Sequence, residues 1–259
     1  MKVFDLKLGP GCAPSGETTV PGLPRSARPR YRKLVELALL LGTALIHGLA
    51  TAQMQSSACG STPNPSDGGY GPYDYRTDRD KLQIVERPHF PPVVEALIGT
   101  KRAPVGGDLD YTLRAFPNHH RALNAAMRYG EKLKTPHPGD MTFPVECYFD
   151  RALRFRPDDN VARMLYAQFL ERNQRTNEAL VQLARVESTA GDNAFTHYNL
   201  GMLYADMKEY DKAVAHAHEA YRLGFGKLDL RDKLATAGKW TDPKDAAAPA
   251  NASDSTGKN

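Results

Sequence analysis

Tryptophan occurs once and cysteine three times among the 259 residues. Long apolar runs are lacking too. The clearest one, Leu37 to Leu49, covers about 13 residues or roughly 20 Å as a helix, short of the ~30 Å hydrocarbon core. An excess of one charge is also missing where it would matter. The formal +4 lies in residues 1–52, which hold seven Lys/Arg against three Asp/Glu, leaving 27 of each sign from Gln53 onward. A neutral body gives no electrostatic basis for gripping nucleic acid, which depends on clustered Lys and Arg neutralising phosphates.

Catalytic signatures are sparse as well. Gly224-Phe225-Gly226 is too short to cradle a phosphate and reads as a helix stop. No serine sits in a nucleophile-elbow context, and Cys147 has no neighbour to activate its thiol. Asp108-x-Asp110 is the type of acidic pair that holds a metal at a strand end, but no nucleotide-binding α/β pattern surrounds it. An N-cap followed by a first-turn carboxylate accounts for both residues. His216 and His218 lie two apart on a helical pattern and point about 200° from each other, so they cannot share an ion. His119-His120 and His137 add no ligand spacing of their own. Neither catalysis, a cofactor nor a metal is expected.

What is present begins with a leader. Arg25, Arg28, Arg30, Arg32 and Lys33 precede the apolar run, and Ala50-Thr51-Ala52 follows it, the order of a secretory signal cleaved after Ala52. A periplasmic or secreted protein without stable membrane insertion is the expectation; a retained anchor is the competing reading. Lipidation at Cys59 is disfavoured, because Ser56-Ser57-Ala58 lacks the large aliphatic residue such sites carry. Cleavage removes Cys12 and leaves an even pair, Cys59 and Cys147, in a compartment where disulfides persist. A bridge between them is expected, with two free thiols as the alternative.

Four stretches follow: the signal, 1–52; an irregular Tyr/Gly/Pro-rich segment, 53–90; a helical domain, 91–240; and a tail, 241–259, without a large apolar residue and expected to be disordered. Tyr70, Tyr73 and Tyr75 suggest that the irregular segment lies against a surface, since aromatics carry most of its apolar area. Pro91-Pro92 can open a short helix through Ile98, stopped by Gly99, and Asp108 can cap another containing Leu109, Leu113 and Phe116.

Shifting the sequence by 34 residues pairs Val145, Ala179 and Ala213; Phe149, Leu183 and Ala217; and Ala152, Val186 and Ala220. The same shift aligns Tyr166 with Leu200, Ala167 with Gly201, and Leu170 with Tyr204. Two helical patterns per period result, and the last copy, NLGMLYADMKEYDKAVAHAHEAYRLG, is the clearest. This pattern, over about residues 108–226, resembles the tetratricopeptide repeat. His197 stands where the family has Trp, Ala217 replaces a bulky residue, and the first copy carries the insertion KTPHPGDMTFP. The resemblance implies an all-α, right-handed helical solenoid of about three repeats, closed by a C-terminal capping helix with Leu228, Leu230 and Leu234.

In that family the first helix of each repeat lines a concave groove. Carried over, this gives Arg121, Asn124 and Arg128 from the first copy, Met164, Gln168 and Glu171 from the second, and Phe195, Tyr198, Asn199 and Met202 from the third. The implied groove is basic at one end and apolar at the other, suited to a protein or peptide partner. Leu165 and Phe195 occupy places where the family's carboxylate clamp needs polar residues, which disfavours a chaperone tail. The expected function is an exported adaptor or assembly factor of the bacterial cell envelope. An enzyme or metal-dependent protein with a site between the Tyr-rich segment and the groove is the alternative.

Overall fold

A computed structural model describes residues 59–61, 69–98 and 104–243. The leader, its cleavage site, Gly99 and the tail beyond residue 243 lie outside the described residues. Every regular element among those described is helical. A 3-10 turn, Arg79–Lys81, leads into α1 (Leu82–His89), then α2 (Pro92–Glu95), α3 (Val105–Ala115), α4 (His120–Leu133) and α5 (Val145–Phe155). The chain continues through α6 (Asn160–Arg172), α7 (Thr176–Glu187), α8 (Ala194–Asp206), α9 (Tyr210–Arg222) and α10 (Asp229–Thr236). No described helix is long and apolar enough to cross a membrane.

The period of 34 is visible in the helices themselves. α6 and α8 begin 34 residues apart, as do α7 and α9, whereas α4 precedes α6 by 40 because Lys134–Pro144 is inserted after it. The nine residues of the sets that start at Val145, Phe149 and Ala152 are all buried, and they form the sides of α5, α7 and α9 that pack into the core. Small residues set the close approaches. A Cβ on Gly201 would meet the Ala213 carbonyl oxygen at 3.2 Å and Leu230 Cδ2 at 2.5 Å, so only glycine lets α8 lie against both α9 and α10. In the same register Leu170 and Tyr204 are fully buried and fill the wider gaps. Leu230 and Leu234 of α10 are fully buried against this end, but Leu228 precedes the helix and is exposed.

Order begins earlier than the sequence pattern indicates. α1 lies inside the stretch read as irregular; its Leu82 and Val85 join Tyr75, Ala115 and Phe116 in a second buried apolar cluster, with Tyr70, Tyr73 and Tyr111 packed on it. Two buried residues in eight, with Ile84 exposed between them, leave too short a stripe to register as helical periodicity, and Pro88 near the C-terminal end obscures it further. The tyrosine segment therefore lies on the helices, tied by Tyr73 N–H donating to the Ala115 carbonyl at 2.9 Å. α2 stops at Glu95, before the expected Ile98, and Leu97 turns the chain at a positive φ of 59°. Asp108 is not a cap: α3 starts at Val105 behind Pro104, and Asp108 sits buried in its first turn, 3.0 Å from His89 Nδ1. Its neighbour Asp110 accepts hydrogen bonds from Thr142 and Tyr148 of the insertion and α5.

Cys59 and Cys147 are bonded, with Cα atoms 5.0 Å apart across 88 residues of chain. The bridge is reinforced by two arginines from α5. Arg151 donates to the carbonyls of Cys59 (3.1 Å) and Ser61 (2.6 Å), and Arg154 to that of Gly60 (3.0 Å). Three successive backbone carbonyls are thus held by side chains one turn apart on one helix.

Candidate functional site

Along α6, Val161, Met164, Leu165 and Gln168 fall on one face, and along α8 Phe195, Tyr198, Asn199 and Met202 occupy the four positions 34 residues later. Because the helices pair in register, these two sets face a common cavity of about 280 Å³, completed by Leu203 and Asp206. Met164, Gln168, Phe195, Tyr198, Asn199 and Met202 are all residues singled out from the sequence. Its walls are apolar and partly thioether, a lining that adapts to differently shaped side chains. Phe195 is 51% exposed, while Met164 and Tyr198 beside it in the lining are buried.

Three polar side chains besides Asp206 reach the cavity: Gln168, Asn199 and Tyr198. The Gln168 amide makes no hydrogen bond to another described residue. Asn199 donates from Nδ2 to the Phe195 carbonyl at 2.7 Å, which leaves its side-chain oxygen as an acceptor. Tyr198 is more than a lining residue. It is buried, stacks on Phe225 with ring centroids 4.3 Å apart, and donates to Asp229 at 3.2 Å, linking the cavity wall to the start of α10. Burial, then the Asp229 carboxylate, raise its phenol above the ordinary value.

The other sequence-chosen residues do not line this cavity. Arg121 forms an ion pair with Glu95 of α2 and lies 3.4 Å from Glu86 of α1, so the cation expected to meet a ligand is already neutralised. The hydrogen bond from Arg121 holds the Glu95 carboxyl below its usual range. Asn124 is half-buried and Arg128 exposed. Glu171 accepts the Thr176 hydroxyl at 2.7 Å, a contact within one helix pair. At that end of the expected groove Arg121 is therefore tied to α2 and to α1, of which only α1 went unread in the sequence, while Arg128 stays exposed.

A second concentration of polar groups went unnoticed in the sequence. Asn118 Nδ2 donates to Asp74 Oδ1 (2.7 Å) and Asp159 Oδ2 (2.8 Å), while its oxygen accepts from Tyr75 N (3.0 Å). Arg76 and Arg156 both bind the Asp74 carboxylate, and His120 Nε2 contacts both oxygens of Asp159 at 3.0 and 2.9 Å. Burial pushes Asp74 up, but hydrogen bonds from Arg76 and Asn118 outweigh it and hold the carboxyl well below the usual carboxylate range. Asp159 behaves alike, burial opposed by His120. Every buried side-chain nitrogen and oxygen in the described residues has a partner, so this network locks the tyrosine segment onto α4 and α6. The one available signal was the repeat shift, which places Asp159 opposite Asn193 as a helix cap.

Among the described residues no three His, Cys, Asp or Glu side chains converge to hold a metal ion. His218 donates from Nε2 to the Thr241 carbonyl at 2.7 Å and packs edge-on against Trp240, while His216 is buried in the core.

No family model, curated protein or solved structure matches this chain.

Proposed function

We propose that this protein is an exported adaptor or assembly factor of the cell envelope, built as a tetratricopeptide-type stack, that holds a segment of a protein partner in the α6–α8 groove. The observation that carries the reading is the matched lining of that groove: four positions on α6 and their counterparts 34 residues later on α8 enclose one apolar cavity, with Phe195 exposed and the Gln168 amide making no hydrogen bond to another described residue. Apolar side chains of the partner would fill the cavity, and the Gln168 and Asn199 amides would meet its peptide groups. Because Arg121 is neutralised by Glu95, an acidic portion of the partner is no longer required. The basic-apolar-small order of the leader supports export, and the Cys59–Cys147 bridge fits an oxidising compartment.

The test is an affinity capture from envelope extracts with wild type and a Phe195→Ser/Met202→Ser variant in parallel. A protein retained by wild type in fixed stoichiometry and lost by the variant supports the reading. Equal retention by both moves the contact surface away from the groove. N-terminal sequencing of the same preparation checks export: a start at Gln53 is expected, and an intact leader in an alkali-resistant membrane fraction overturns that part.

A further inference from the structure

On the side of α8 that faces α9, two histidines meet. His197 Nδ1 lies 2.9 Å from His216 Nδ1, and the ring centroids are 5.2 Å apart. A centroid separation only a little over 2 Å longer than the nitrogen separation places both nitrogens near the line joining the rings, the alignment of a hydrogen bond. The remaining nitrogens fix the proton count. His197 Nε2 is 2.8 Å from the Gly191 carbonyl oxygen, which can only accept, so Nε2 carries a hydrogen. His216 Nε2 lies 3.3 Å from Glu187 Oε1, and Glu187 also accepts the Tyr204 hydroxyl at 3.0 Å on its other oxygen. An ionised carboxylate requires a hydrogen on that nitrogen too. Two facing Nδ1 atoms can bond only if one of them is protonated and the other is not. The arrangement therefore holds three protons on four nitrogens, one positive charge on the pair, balanced by Glu187.

We propose that His197 and His216 share a single proton between their Nδ1 atoms and so form a pH-sensitive catch that ties α8 to α9. A fourth proton would set two N–H groups and two positive charges against each other, opening the catch on acidification. The charged surroundings do not relieve that repulsion. From α7 comes Glu187, from α8 the Tyr204 ring stacked on His216 at 5.5 Å, and from α9 Lys212 over the Tyr204 ring and Glu219 held by Arg222. Asp192 in the α7–α8 loop lies 3.8 Å from Arg222. Glu187 can balance one charge, and Lys212 opposes a second. Burial, the leading influence, with His197 and Lys212 adding to it, depresses protonation of His216. Since α8 also carries Phe195, Tyr198 and Met202, an open catch frees the helix that forms one wall of the groove.

The direct test needs no variant. In full-length protein with nitrogen-15 histidine, a through-hydrogen-bond coupling between His197 Nδ1 and His216 Nδ1 is expected near pH 7 and should disappear near pH 5. Two rings with unprotonated Nδ1 at neutral pH, or a coupling that persists unchanged at pH 5, overturns the proposal. The energetic test compares melting temperatures of wild type and His216→Gln at both pH values. Wild type is expected to exceed the variant by a few degrees near pH 7, with about half or less of that difference left near pH 5. A difference independent of pH also overturns it. His197→Gln, at the more exposed ring, replaces His216→Gln if the latter does not fold, with the same expectation.

Discussion

Asp159 and Asn193, 34 residues apart, begin α6 and α8 in the same way. Asp159 Oδ1 accepts from Val161 N and Ala162 N at 3.1 and 3.0 Å, and Asn193 Oδ1 accepts from Thr196 N at 2.9 Å. Each satisfies backbone donors that a helix start leaves unpaired. Their surroundings differ. Asn193 is exposed, whereas Asp159 is buried and also binds His120 and Asn118. Asn193→Ala is expected to cost about 1 kcal/mol, the ordinary value of a cap. Asp159→Ala should cost more, about 3 kcal/mol or above, because it strands buried partners as well as the helix start. Urea unfolding of the two variants followed by circular dichroism checks the ranking; equal losses would show that the network around Asp159 contributes nothing.

That pair also shows what the sequence made legible. The helices from Val145 to Arg222, their period and their buried residues follow from small and apolar residues recurring at fixed spacing, which is a local signal. The cavity was reached differently, through the family resemblance, which marked six of its lining residues. The N-terminal third was legible only in part, in the short helices at Pro92 and Leu109 and in the packed tyrosines, because the rest is held by contacts between residues far apart. Asn118 reaches Asp74 across 44 residues and Asp159 across 41, and Arg121 reaches Glu95 across 26. No periodicity announces such pairings. Arg121 consequently looked like a ligand anchor when it is a brace for α2.

The disulfide should matter most to the segment it staples. Closing a loop of 88 residues restricts the unfolded chain by roughly 4 kcal/mol in the chain-entropy model. The carbonyl grip of Arg151 and Arg154 acts independently of the sulfurs, so reduction alone should lower stability without detaching residues 59–61. Cys59→Ser/Cys147→Ser is expected to lose about 2–4 kcal/mol, and adding Arg151→Ala should raise protease cleavage near Gly60 further. Unfolding curves with and without reductant, and limited proteolysis of the variants, test both steps.

Within the groove, stability and recognition should separate by residue. Phe195 is half-exposed and Met202 partly so, and their truncation to Ser should change stability by only about 0.5 kcal/mol or less. Tyr198 is stacked on Phe225 and bonded to Asp229, so Tyr198→Ala should cost about 3 kcal/mol and loosen α10. Thermal unfolding decides this. If Phe195→Ser destabilises as much as Tyr198→Ala, the exposed ring is part of the core and the groove is not a free surface.

Acid should weaken the fold in two stages, and His119 contributes to the first alongside the His197–His216 pair. His119 begins α4 as its cap: Nδ1 accepts from Ala122 N at 3.1 Å, so that nitrogen must be bare, while Nε2 lies 3.0 Å from Glu86 Oε1 and carries the hydrogen. The native ring is neutral, and a further proton on Nδ1 would displace the cap. Burial is the main cause holding its pKa below 6.5, the value of a free histidine, and Glu86 only partly opposes it. As pH falls through about 6.5, the unfolded chain takes a proton that the folded chain refuses, so stability declines from there until the folded ring itself titrates. The second stage comes from Asp74 and Asp159, whose folded values are depressed; their contribution is intact above about pH 4 and is lost as pH falls further. His119→Asn keeps a side-chain acceptor for the cap and cannot titrate. Its stability should therefore lose less between pH 7 and 5 than that of wild type, with the decline below about pH 4 preserved. Equal slopes for both proteins between pH 7 and 5 would mean that His119 is not held neutral in the folded state.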